Sequence, residues 1–469
     1  MENNQKTIIT SDKPFNMNDK IGYMFGDIGN TLSFSIVNTF LMIYFTNILG
    51  ITGAQVGILF LLARFIDAFA DVTVGRLVDN SKLHENGRFK PWMNRMRYPL
   101  LISLVLLFVP WVSDLSYLSR LVYVFVTYLA WGIFYSTVNI PYGSMVSSIS
   151  SDPNDKTSLS TFRAVGAATG TAFISYVIPV VIYVGTSKKI SGNRFFWVVA
   201  GCAILAYFCY SLTIRLTTER VRTEKSKPVP LGQVFKGMFV NKALIALVFV
   251  DMLLVIYTSF SSITLSYLFD DYFKNSTAMA IALVLNSATV IILAPFSHWI
   301  VRTWGRKNST VVALFLSTIF YGALFVIQTH DVTVYLVLLF FASLSIGMFT
   351  VSVWAFITDV IDSYEVQTGV REDGIVYGVN SFSRKAAQAI AGGFSGFMLS
   401  FVGYVSSTKG GATQTTEVVN KLYDLATGIP TVLLAVATLI LLFIYPLNKK
   451  KIAENVAKLA KIHTERPDD

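Results

Sequence analysis

Twelve stretches of the chain are predominantly apolar, most of them close to the ~20 residues that carry a helix across the hydrocarbon of a bilayer. They fall at about residues 21–49, 54–78, 98–113, 119–147, 161–185, 194–214, 243–268, 277–300, 310–328, 333–360, 375–404 and 426–446. The third is short, and Pro141 in the fourth and Pro295 in the eighth predict bends. A long polar loop at 215–242, containing Pro228 and Pro230, separates six runs from six. The segment VGRLVDN…NGRFK after the second run is echoed by WIVRTWGRK after the eighth. The pattern predicts an all-α integral membrane protein of twelve transmembrane helices in two six-helix halves. A substrate site is expected between the halves near the bilayer midplane. The expected divisions are 1–214 for the N-terminal half, 215–242 for the central loop, 243–446 for the C-terminal half and 447–469 for a basic tail. That tail, KKKIAENVAKLAKIHTERPDD, reads as an amphipathic helix on the membrane surface.

Composition supports the membrane reading. Of 469 residues, 53% are hydrophobic and 14% charged, against about 25% charged in soluble domains. The net charge of +10 is concentrated in short segments between apolar runs, where membrane orientation accounts for it better than nucleic acid does. Lys82, Arg88, Lys90, Arg95 and Arg97 mark one loop. Arg215, Arg220, Arg222, Lys225, Lys227, Lys236 and Lys242 mark another, and Arg302, Arg306 and Lys307 a third. With Lys449, Lys450 and Lys451 these fall on one side, so both termini are expected in the cytoplasm of a cell-membrane protein. Lys188, Lys189 and Arg194 form the one dissenting loop. The polar N-terminus lacks the order of a cleaved signal peptide, so the first span is expected to be retained. Cys202 and Cys209 share one span and read as apolar filler; four His and two Cys give no metal-ligand cluster.

The second run, GILFLLARFIDAFADVTVGRLV, carries Arg64, Asp67 and Asp71 at i, i+3 and i+7, within one arc of a helix. Each such group costs about 2.5–3.5 kcal/mol at a membrane centre, so the three should face a protein interior or a wet cavity. Two carboxylates and one guanidinium leave a charge near −1, which one proton or one sodium ion would neutralise. A permanent structural Arg–Asp pair is the alternative.

The runs FIDAFADVTVGRLVD, NGRFKPW, VNIPYGS, TDVIDSYEVQTGVREDGIVYG and SFSRKAAQAIAGG resemble the glycoside–pentoside–hexuronide:cation symporters of the major facilitator superfamily. The resemblance extends from Ile21 to Pro446, and the VNIPYGS and TGVR…SFSRK forms are nearer to glucuronide and pentoside carriers than to melibiose permease. It implies the major facilitator fold and sugar symport by alternating access. It matches Asp67 and Asp71 to the family's cation-site aspartates, Arg64 to an arginine one turn before, and Lys385 to a lysine near that site. Ser136 and Asn139 lie in the fourth span; melibiose permease has a third aspartate at the position of Asn139. The lost charge favours H+ over Na+ as coupling ion, although Na+ at Asp67 and Asp71 stays open. Arg384, next to Lys385, is expected to face another direction.

For the sugar, the first span offers Asp27, Asn30, Thr31, Phe34 and Asn38. Melibiose permease has a Lys–Asp pair where this chain has Asn30 and Thr31, so an α-galactoside is not the expected substrate. Tyr135, Arg163, Asn380, Ser381 and Lys385 match polar or cavity-facing family positions. Phe34, Tyr135, Tyr142 and Trp354 are candidate aromatic platforms. Asp79, Arg88, Arg302, Asp359, Asp362 and Arg371 cluster at expected cytoplasmic helix ends as gating charges, with Glu365 beside them. No cofactor beyond the coupling ion and no nucleic-acid partner is expected, and the chain is expected to be a monomer in the lipid bilayer. Two alternatives remain: a magnesium-dependent prenyl-transfer-type membrane enzyme using DAFAD and DVID, and a non-transporting sugar sensor.

Overall fold

A computed structural model describes residues 8–9, 13–81, 87–184, 189–222, 241–368 and 373–465. Among these, twelve long helices run in sequence: α1 (Met17–Asn47), α2 (Gly53–Asn80), α3 (Phe89–Leu106), α4 (Tyr117–Ile149), α5 (Pro153–Ile182), α6 (Gly192–Leu216), α7 (Lys242–Tyr267), α8 (Ser276–Trp304), α9 (Arg306–Ile327), α10 (Val332–Thr368), α11 (Asp373–Phe401) and α12 (Thr416–Leu439). A further helix, α13 (Lys449–Glu465), follows them. Among the described residues, eight of the twelve are long and apolar enough to cross a membrane by length and composition. Polar residues at the helix starts explain several boundaries. Asn16 closes a capping box on α1, Asp152 caps α5 ahead of Pro153, and Asn241 caps α7. Pro141 and Pro295 both sit inside unbroken helices.

Two boundaries depart from the hydropathy pattern. The helix α3 begins at Phe89, inside the stretch expected to be loop: Glu219 accepts from the main-chain N–H groups of Arg88, Phe89 and Lys90 at its start, and Arg97 further along buries its charge. Its guanidinium lies 4.4 Å from the ring centre of Tyr207 and 5.1 Å from that of Tyr98, and donates to Ser211 Oγ at 2.6 Å. The helix α5 begins at Pro153, so Arg163 lies well inside it and not at its start.

Within the first six helices α1 packs on α5 and α6, and α3 on α4 and α6; within the second six α9 packs on α10 and α12, and α7 on α11 and α12. The two sets meet through α2 against α11, α5 against α8 and α1 against α7. Contact is tightest at one end of the bundle. A Cβ on Gly396 would lie 2.3 Å from the Gly53 carbonyl oxygen, and one on Gly57 2.7 Å from that of Gly393, so α2 and α11 touch backbone to backbone. Nearby, Asn47 Nδ2 donates to Asp270 Oδ2 at 3.1 Å, Tyr404 donates to Asn47 Oδ1 at 3.1 Å, and Thr46 and Tyr267 share a 2.8 Å hydrogen bond. Towards the other end, which carries the start of α1 and the end of α12, Cβ atoms on Gly75 of α2 and Gly378 of α11 would meet nothing within 4 Å. Among the described residues α2 and α11 are therefore pinned together at one face and splayed at the face of the termini.

Candidate functional site

The splay encloses a cavity of about 710 Å³ between the two sets of helices. The helix α2 contributes Arg64, Asp67 and Asp71, which share one face as their spacing requires. Arg64 Nη1 lies 3.7 Å from Asp67 Oδ2, and its guanidinium sits 5.8 Å from the ring centre of Phe34. The other Asp67 oxygen is buried with no hydrogen-bond partner among the described residues. It points at Gly132, where a Cβ would approach it to 2.3 Å; only glycine leaves room for this carboxylate. Asp71 is in direct ionic contact with Lys385 of α11. The triad alone carries a charge near −1, and Lys385, expected near it, sets a cation from another helix against that charge.

From α4 the cavity receives Tyr135, Ser136 and Asn139, together with Trp131. Trp131 and Tyr135 stack at 5.5 Å, and the Trp131 indole donates to Ser33 Oγ at 3.0 Å. Asn139 Oδ1 accepts from Asn30 Nδ2 at 3.4 Å, and Tyr210 donates to Asn30 Oδ1 at 2.8 Å, so both amides are held between helices. From α1 come Asp27, Asn30, Thr31 and Phe34, and from α5 Arg163, whose Nε donates to Asp27 Oδ1 at 3.0 Å. Trp354 of α10 and Asn380, Ser381, Arg384, Lys385 and Gln388 of α11 complete the second side.

Three sequence-based expectations are corrected. Asn38 does not line this cavity; it faces a separate void of about 20 Å³ bounded by Arg64, Tyr128, Ser259 and Gln388, since α1 carries it a full turn beyond Phe34. Tyr142 is buried behind the wall, stacked on Tyr23 at 4.6 Å with the Arg163 guanidinium 5.4 Å from its ring centre. Arg384 does not face away. It lines the cavity beside Lys385, and its Nη1 donates to both oxygens of Asp251 of α7 at 2.8 and 3.1 Å. Asp251 was legible by the argument that singled out α2, being a lone carboxylate within the apolar run of its helix.

The expected gating charges are scattered. Asp359 pairs with Arg306 inside the second set of helices, with Asp362 close by. The Arg88 main-chain N–H donates to Glu219 Oε2 at 2.9 Å, and the carbonyl of Arg302 accepts from Lys449 Nζ at 2.9 Å. Arg371 lies outside the described residues, as does the side chain of Asp79.

A splayed, two-part helical bundle around a charged, aromatic-lined cavity defines a multi-pass membrane transporter. The chain belongs to the family described as MFS/sugar transport protein, which it matches over residues 22–449. A glucuronide carrier protein homolog of Escherichia coli (strain K12) is 31% identical over 94% of this chain and 94% of that one. The isoprimeverose transporter of Lactiplantibacillus pentosus is 28% identical over 83% of this chain and 81% of its own. Among solved structures, a D-xylose-proton symporter superposes with a TM-score of 0.60 at 11% identity, covering 92% of this chain and 98% of that one. The major facilitator fold is therefore that of this chain. A family of transporters leaves the prenyl-transfer reading without support.

Proposed function

We propose that this transporter carries a glycoside, pentoside or hexuronide together with one cation, H+ in preference to Na+. One observation carries the reading. Asp67 and Asp71 of α2 and Lys385 of α11 meet in the wall of a cavity large enough for a disaccharide, with one Asp67 oxygen unpartnered among the described residues. The cation enters at Asp67 and Asp71 and frees Lys385 to turn to a sugar hydroxyl, so each ligand favours the other. Ser136 borders the cation side, whereas Asn139 is engaged by Asn30 and brings no charge, which supports the proton. Asp27, Asn30, Thr31, Tyr135, Arg163, Asn380 and Ser381 supply sugar contacts, with Phe34 and Trp354 as apolar faces. Names of relatives agree in kind: a glucuronide carrier homolog, an isoprimeverose transporter and a putative glycoside/cation symporter.

The face of the termini is the cytoplasmic one in this reading, because the basic segments lie there. The splayed state is then inward-open, and Asp79, Arg88, Arg302, Asp359, Asp362 and Arg371 form their cross-half contacts when that face closes. Residues 1–214 and 243–446 act as the two moving halves of a monomer, joined by 215–242 and followed by the 447–469 tail. The test is sugar-induced proton or sodium movement in proteoliposomes, screened over glucuronides, β-xylosides and plant-type disaccharides. Asp71→Asn is expected to abolish uphill accumulation while leaving counterflow. Accumulation by Asp71→Asn equal to that of the wild type would sink the coupling assignment, and sugar binding without counterflow would make the protein a sensor.

A further inference from the structure

The first and fifth helices of the two halves carry the same device. In the first half Asp27 of α1 holds Arg163 of α5; in the second Asp251 of α7 holds Arg384 of α11. Each carboxylate is buried, and each arginine is partly exposed in the cavity wall, 44% for Arg163 and 39% for Arg384. Resting on the sugar-carrier reading, we infer that Arg384, fixed from behind by Asp251, is a specificity-determining residue. It binds the carboxylate of an acidic sugar, with Arg163 as its counterpart across the cavity.

The geometry of the fork supports the assignment. Asp251 takes only Nη1 of Arg384, through both of its oxygens. The remaining N–H groups, on Nη2 and Nε, form the planar edge that matches a carboxylate. Asn380, one turn before Arg384, lines the same cavity close to Asp251, and its buried Oδ1 has no hydrogen-bond partner among the described residues.

Charge balance points the same way. Arg64 faces Asp67, Lys385 faces Asp71, Arg163 faces Asp27 and Arg384 faces Asp251, so the empty site is neutral. One bound cation leaves a single positive charge among helices that must move through a low-dielectric bilayer, where an uncompensated charge is costly. A neutral sugar does nothing to remove it. A sugar carrying one carboxylate cancels it, so the loaded and empty carriers have the same net charge and uptake is electroneutral.

The experiment uses the full chain in proteoliposomes and two acid/neutral pairs: methyl β-D-glucuronide with methyl β-D-glucoside, and the corresponding galacturonide with its galactoside. The wild type is expected to prefer an acid member, with uptake indifferent to a potassium diffusion potential set with valinomycin. The Asp251→Asn/Arg384→Gln double variant keeps the wall neutral. Its KM for the acid sugar is expected to rise about tenfold to a hundredfold, the range of a lost charge-assisted pair. The preference for the acid over the neutral partner should fall by the same factor, measured as the ratio of their kcat/KM values within each variant. Arg384→Lys keeps the charge and the ion pair but loses the fork; a smaller rise confined to the acid sugar is expected, which guards against a double variant that fails to fold. Uptake with no acid preference, or a preference unchanged in both variants, overturns the arginine assignment alone. Counterflow of neither acid sugar by the wild type also overturns the arginine assignment, whereas the sugar-carrier reading itself falls only if the wider screen over glucuronides, β-xylosides and plant-type disaccharides gives no counterflow.

Discussion

Lys385→Gln is expected to tighten the coupling ion while loosening its dependence on sugar. Lys385 is paired with Asp71 in the splayed state, so a cation binding there as proposed would have to displace an ammonium group already in contact with the carboxylate. The strength of that contact sets the handicap. A fully exposed pair is worth ~0.2–1 kcal/mol and a hydrogen bond to a charged group ~1.5–3 kcal/mol. Asp71 is 15% exposed and Lys385 51%, which places this pair near ~1.5 kcal/mol, about a tenfold factor in an equilibrium constant. Without the ammonium group, the ion concentration for half-maximal uptake should therefore fall about tenfold. For a proton this is an upward move of about one pH unit in the uptake profile. The assay is the pH or Na+ dependence of initial counterflow in proteoliposomes, with and without saturating sugar. In the wild type, sugar should lower the half-saturating ion concentration, because it competes for Lys385; in Lys385→Gln that effect should vanish. A half-saturation that stays put or rises would refute the displacement argument, since the lysine would then be no competitor of the ion.

Other substitutions probe separate parts of the wall. Asn139→Asp should raise sodium stimulation of uptake, because it places a third carboxylate beside Ser136; an unchanged Na+ titration would count against H+ selection through this position. Gly132→Ala puts a methyl group where the Asp67 carboxylate now lies, a 2.3 Å contact, so the half-saturating ion concentration should rise about tenfold while Tm changes little. Gly396→Ala presses on the Gly53 carbonyl at 2.3 Å. Overpacking of ~1–3 kcal/mol should depopulate the splayed state about fivefold to a hundredfold, read as a longer distance between spin labels on Thr52 and Ser400.

The helices were legible in the sequence because an apolar run of about 20 residues is longer than most soluble folds bury in one element and matches the thickness of a bilayer. Their polar ends were not. The start of α5, PNDKTSLS, reads as loop by hydropathy, yet the Asp152 cap carries the helix through it. Around the cavity the triad on α2 was visible because three charges in one apolar run demand partners. Its partner Lys385 came only from a family resemblance, since nothing in local spacing says that α11 lies against α2. Arg384 departs from expectation for a physical reason. Neighbours on a helix diverge by about 100°, but a cavity of this size wraps more of α11 than one face, and Asp251 holds the Arg384 side chain in place from behind. Asn38 departs in the converse way: it shares the face of Phe34 but lies about 6 Å further along α1, past the end of the cavity.

The same two helices carry both the pivot and the charges. At the closed end α2 and α11 touch through Gly53, Gly57, Gly393 and Gly396; further along they are joined again by Asp71 and Lys385; beyond, at Gly75 and Gly378, they have parted. Whether Lys385 stays on Asp71 therefore acts on the interface that must open and close, not on a remote relay. The rest of the closed end is held by hydrogen bonds such as Tyr404–Asn47 and Thr46–Tyr267, each worth about 1 kcal/mol net, and Asn47–Asp270, worth ~1.5–3 kcal/mol where the carboxylate is charged. A handful of such bonds amounts to a few kcal/mol. Reversing a two-state population from 1:99 to 99:1 takes ~5.5 kcal/mol of differential binding, within reach of one cation and one sugar acting together, whereas the ~1.5 kcal/mol of the Asp71–Lys385 pair falls well short of it. In the proposed mechanism coupling then needs no additional machinery: a gate of a few kcal/mol is strong enough to resist the ion-pair exchange alone and weak enough to yield to cation and sugar together, and the pair spanning α2 and α11 would be where that load is registered.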